Sequence, residues 1–237
     1  MSVRNLLKVV LCTVLIFSAY AFASHRFDKR NIKDVTISYT DSKALFISEK
    51  NVNKLLIQNV DSAQTLAIEN LDLNRGEKSI VENAMVRDAV VSVSLDGRVN
   101  VLVEQRTPIA RLISPDQMYL DSDNKLMPLS QEHTAFVPLV YGYKDSLKNA
   151  LFTLVNFIND DPFLKPAVTQ ISFDKKGVVT LEIRAHDYEV IWGEVKDLEH
   201  KAMNYKAFIA KMEKDKRLNQ IKTIDLRYKN QVVSIKK

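Results

Sequence analysis

Cysteine occurs once in the 237 residues, at Cys12. The chain therefore has no internal disulfide and cannot build a thiolate site. Glycine and proline are also scarce, at 5 and 6 residues, which argues against long flexible linkers. The four histidines, His25, His133, His186 and His200, form no HxxxH or HxH spacing, and there is no CxxC, so a metal centre has no support. GxSxG, a glycine-rich phosphate loop and HExxH are all absent. The carboxylates are scattered. Asp160-Asp161 lies just before Pro162 at a helix end. Asp121-Ser122-Asp123-Asn124 lacks the glycine and distal glutamate of a calcium loop and reads as a turn. Trp192, Tyr188 and Tyr205 read as core. No catalytic residue, cofactor or small-molecule substrate emerges.

Charge of one sign is also missing from most of the chain. The formal net charge is +5, but residues 1–30 hold Arg4, Lys8, Arg26, Lys29 and Arg30 against Asp28 alone. The remainder is nearly balanced, so no general nucleic-acid-binding face is expected. The basic excess flanks an apolar run, Val9 to Ala23, where it can meet lipid headgroups. Leu6 to Ala23, with Lys8 snorkelling, would span roughly 27 Å as helix, near the ~30 Å hydrocarbon thickness. This suits an uncleaved anchor. A cleaved signal peptide is the rival, with Ala21-Phe22-Ala23 as its small-x-small pattern. Charge does not fix the orientation.

Hydrophobic residues make up 46% and charged ones 27% of the chain, so a packed core is expected. Ile32 to Tyr39 alternates as a half-buried strand. Ser48 caps a short helix, with Ile47 stapled to Val52 and a Val52, Leu55, Leu56 stripe. A second helix is expected from Asn74, as cap, to about Met85, weakened by Gly76. "VVSVSLDGRVNVLVEQRTP" follows from Val90. A two-residue Asp96-Gly97 turn would set valines against polar residues. A three-residue Leu95-Asp96-Gly97 loop pairs Val93 with Val99, Val91 with Val101 and Ala89 with Val103, and that register is predicted. Pro108 cannot donate to a ladder, so pairing should stop there.

Beyond Pro108, "MYLDSDNKLMPLS" predicts two short strands around a turn, and "FVPLVYG" another. Leu147 to Ile158 forms an amphipathic helix. "QISFDKKGVVTLEIRA" reads as strand, turn and strand, "DYEVIWG" as one more strand, and Leu198 to Met212 as a helix. The chain closes on a strand pattern in which Ile224, Leu226 and Tyr228 alternate with Thr223, Asp225 and Arg227. Val232, Val233 and Ile235 follow. A terminal strand at a sheet edge can accept a partner's strand. It can equally pair within its own sheet, with Lys229, Lys236 and Lys237 blunting it.

The stretches "VRDAVVSVSLDGRVNVLVEQRTPIARL", "MYLDSDNKLMPLS" with "VPLVYG", and "IDLRYKNQVV" resemble, in order, the POTRA hairpin, the start of the β domain and the last strands of the FtsQ/DivIB family of bacterial cell-division proteins. Gln105 departs from the common family form, which has glutamate directly before arginine. The resemblance implies an α+β chain: a short cytoplasmic tail at 1–8, a transmembrane helix at 9–24, a βααββ POTRA domain at 30–112, and a mixed β domain at 113–237 ending in an edge strand. It implies a non-enzymatic, single-pass protein of the plasma (inner) membrane at the division septum, its bulk outside the cytoplasm. Such a scaffold would hold FtsB/FtsL-like divisome partners, with the septal synthase a further candidate, and help regulate septal peptidoglycan synthesis. The FtsB-like contact would fall on Leu226, Tyr228, Val232, Val233 and Ile235. Glu104, Arg106 and Pro108 would mark the junction of the two domains. The alternatives are a POTRA protein of an outer-membrane secretion or assembly system, against which the two helices within 146–218 speak, and a secreted cell-wall enzyme.

Overall fold

The computed structural model describes residues 3–28, 34–41, 46–58, 72–94, 96–229 and 231–237. The chain is α+β and divides into two compact units, Met1–Gln105 and Arg106–Lys237.

The first unit begins with α1 (Val3–Asp28). Val10, Leu11, Leu15, Phe17 and Phe22 on it are exposed. The expected span over 9–24 is thus helical, but among the described residues no helix is long and apolar enough to cross a membrane. Next come β1 (Asp34–Tyr39), α2 (Glu49–Gln58), α3 (Leu73–Val81), β2 (Val86–Val93) and β3 (Arg98–Gln105). The sheet order is β1-β3-β2, with β1 parallel and β2 antiparallel to the central β3. Ile32, placed in the first strand by its alternation, lies outside the described residues.

The hairpin has the three-residue loop. Val93 pairs with Val99, Val91 with Val101 and Ala89 with Val103. Gly97 takes the left-handed φ of 88° that the loop requires and donates to the Ser94 carbonyl. Leu95 itself lies outside the described residues. The valines of one face, with Ile47, Val52, Leu56 and Ile80 from the helical side, form the core.

Helix α3 differs from expectation at both ends. Asp72, not Asn74, is the cap, its side chain accepting from Arg75 N at 3.1 Å. The helix stops at Val81, before a turn in which Asn83 Oδ1 accepts from Met85 N. Gly76 is buried here because α2 leans against it. A Cβ at that position would meet Leu56 Cδ1 at 3.0 Å, so close helix packing outweighs glycine's poor propensity.

The second unit carries β4 (Pro108–Leu112), β5 (Met118–Asp121), β6 (Leu126–Pro128), β7 (Leu139–Tyr141), α4 (Lys148–Asp160), α5 (Leu164–Ala167), β8 (Val168–Phe173), β9 (Val179–Ile183), β10 (Glu189–Gly193), α6 (Leu198–Lys214), β11 (Ile221–Asp225) and β12 (Val233–Lys236). They form one nine-stranded mixed sheet, ordered β12-β11-β10-β9-β8-β7-β4-β5-β6. Leu151, Leu154, Val155 and Ile158 of α4 and Ala202, Tyr205 and Ile209 of α6 share a core with the strands, around the fully buried Trp192. Tyr188 and Tyr205 bond hydroxyl to hydroxyl at 3.1 Å in that core. Gly142 ends β7 with a positive φ, and a Cβ there would fall 2.1 Å from the Phe173 carbonyl oxygen, a position only glycine can fill.

Two expectations about the boundary change. Pairing of β3 does stop short of Pro108, at Gln105, but Pro108 then opens β4, the first position of a strand being one that tolerates a missing N–H. Residues 108–112 pair with β5 and β7, so they belong to the second sheet. The division falls after Gln105, not after Leu112.

Candidate partner-binding edge

The closing alternation does not form one continuous strand. Strand β11 ends at Asp225, and the chain turns and returns antiparallel as β12. The break has a local cause. Arg227 folds back on Asp225, with Nε 3.0 Å from Oδ1 and Nη2 2.6 Å from Oδ2, while Arg227 N donates to Oδ1. This two-residue clamp bends the chain out of the ladder. The Arg227 hydrogen bond outweighs burial and holds the Asp225 carboxyl below its ordinary pKa. Leu226 N still reaches Ile191 O of β10.

The five proposed contact residues separate accordingly. Leu226 is 3% exposed and belongs to the core. Val232 packs on that core from the side. Tyr228, Val233 and Ile235 are exposed, at 48%, 38% and 56%. Residue Asn230 lies outside the described residues.

Strand β12 has β11 on one flank and no strand on the other among the described residues. The ladder fixes which backbone groups are free. Leu226 N faces β10, so alternation turns Asp225 and Thr223 toward β12, where they meet Val233 and Ile235. The amide and carbonyl of Ser234 therefore point outward. All four residues of β12 are exposed.

The connection into β12 is braced by α6. His200 Nε2 lies 2.6 Å, and Asn204 Nδ2 3.4 Å, from the Lys229 carbonyl oxygen. Lys201, whose burial lowers its pKa, donates to Glu194 O at 2.7 Å. A cleft of about 290 Å³ lies here, lined by Gly193, Lys196, His200, Lys201, Arg227 and Lys229 among others. A Cβ on Gly193 would strike Arg227 Cγ at 2.8 Å. Sequence reasoning missed His200 and Asn204. Their spacing of four on one helix was visible, but their acceptor is 29 residues away from His200.

The junction residues each act inside one unit. Glu104 pairs with Arg87 at 2.8 Å, both exposed. Arg106, partly buried, pairs at 2.8 Å with the fully buried Asp121. Asp121 Oδ1 also takes Asp123 N and Lys125 N, so the "DSDN" carboxylate organises its own turn. Gln105 has a task too: its Oε1 accepts from Phe46 N at 2.7 Å and Ile47 N at 3.3 Å, holding the start of α2 to the end of β3. Among the described residues, no group of three or more His, Cys, Asp or Glu side chains could hold a metal ion.

The profile of the family described as FtsQ/DivIB, C-terminal related, matches residues 107–235. The chain belongs to the FtsQ/DivIB family. The match begins one residue after Arg106 and takes in the second unit through Ile235 of β12. Membership links the chain to cell division. No curated protein matches it.

Proposed function

We propose that this FtsQ/DivIB-family chain is a divisome scaffold that works by binding alone, capturing an FtsB/FtsL-like partner by strand addition to β12. The observation that carries this is the open flank of β12, where Ser234 offers an N–H and a C=O to solvent beside the exposed Val233 and Ile235. Tyr228 would anchor the partner at the turn. Leu226 and Val232 support that surface from behind. In this reading residues 9–24 anchor the chain in the plasma membrane after a short cytoplasmic tail, and the first unit is a POTRA-type recruiting domain. Both units lie outside the cytoplasm at the septum, where the capture helps regulate septal peptidoglycan synthesis.

The backbone directions choose the test. Proline at Val233 would remove an N–H aimed at β11 and damage the protein's own ladder. Ser234→Pro removes one aimed outward, the kind of edge position where proline is tolerated. S234P should keep the melting temperature and lose FtsB/FtsL-like partner in a pull-down. Retention at the wild-type level ends the edge-docking reading. A tagged wild-type chain should form a midcell ring, and an even membrane outline would count against the division role.

A further inference from the structure

Tyr228 sits between two fixed neighbours. On its N-terminal side Leu226 is buried and bonded to Ile191 O, and Arg227 grips Asp225. On its C-terminal side the carbonyl of Lys229 receives two donors from α6, His200 Nε2 and Asn204 Nδ2. A carbonyl only accepts, so the imidazole donates through Nε2. His200 and Asn204 are four residues apart on one helix and present both donors from one face.

We infer that His200, seconded by Asn204, is a positioning residue for partner capture. It holds the β11–β12 connection in the conformation that presents Tyr228 and aligns the outer edge of β12. This rests on the edge-docking reading. The physical reason is preorganisation. An exposed aromatic on an unbraced turn must be ordered when the partner arrives, and that cost is subtracted from affinity. Here it is met within the fold by the bonds that α6 makes to the Lys229 carbonyl. These bonds lie at the surface of the second unit, so their loss leaves the core around Trp192 untouched. His200 acts through Lys229 and need not touch the partner.

The test uses the full chain and three variants, with two readouts. The first is hydrogen exchange over residues 226–236. The second is affinity for the same partner segment that tests S234P. H200A should speed exchange of these amides and weaken capture, each about 3- to 10-fold, the worth of one ordinary hydrogen bond. H200Q should restore both, because a glutamine amide nitrogen can stand where imidazole Nε2 stands. N204A, which removes the longer bond, should do less. The inference is overturned if H200A leaves exchange unchanged, or if H200Q restores nothing that H200A loses. Faster exchange with undiminished capture keeps the clamp but overturns its role in capture, whereas the docking reading falls only if S234P retains the partner. Capture lost in S234P with both readouts unmoved in H200A keeps the docking reading and removes the clamp.

Discussion

The two sheets treat their outer edges in opposite ways. In the first unit β2 lies at an edge, and its outward amides are occupied by carboxylates: Val91 N donates to Glu77 Oε1 at 2.8 Å, and Ala89 N to Asp88 Oδ1 at 2.9 Å. In the second unit no side chain accepts from Ser234 N among the described residues. An unguarded edge invites a foreign strand, and a guarded one refuses it. The contrast is between two edge strands: carboxylates cap two outward amides of β2, and the outward amide of Ser234 on β12 has no such cap among the described residues.

The largest expected effect tests whether the open edge stands on a rigid base. Arg106→Ala strands the buried Asp121 carboxylate and should destabilise the second unit by about 3 kcal/mol, read by thermal unfolding. Glu104→Ala, which removes the exposed partner of Arg87, should cost at most about 0.5 kcal/mol. Equal costs would erase the distinction between the two pairs.

Next, S234P should weaken partner capture about 10- to 100-fold. Its counterpart is Glu77→Ala, which uncovers Val91 N. That change should cost the first unit about 1 kcal/mol and introduce concentration-dependent association, visible by sedimentation. E77Q should sediment like the wild type, since its amide oxygen still accepts. An E77A that sediments like the wild type would show that the guard is idle.

The smallest effect concerns pH. The folded state holds the Asp225 carboxyl below its unfolded pKa, so its contribution is present above about pH 4 and is lost as pH falls through the folded value. Protection of the Tyr228 and Val233 amides, taken against their intrinsic exchange rates, should fall in that acidic window, and Asp225→Asn should abolish the dependence. An unchanged profile in D225N would place the acid sensitivity elsewhere.

Much of this was legible in the residues because period-two alternation fixes register wherever one face is buried. The hairpin pairings followed from the valines alone, and α4 from its spacing of leucines and valine. What escaped was set by groups far apart or by local competition. Leu226 alternates correctly for a strand, yet the Asp225–Arg227 clamp takes the chain out of the ladder while its side chain stays in the core. Glu77 falls within the helix expected from Asn74, and only the fold shows its carboxylate on β2. Asp121 read as a turn residue, and its pairing in the fold with Arg106, 15 positions earlier, was not legible from the turn composition.

Strand β3 is both the middle of the first sheet and its exit, leading from Gln105 straight to Arg106. Tension applied at that exit runs along the strand, so β3 must slide past β1 on one flank and β2 on the other. Such shear loads many rungs together instead of unzipping them singly.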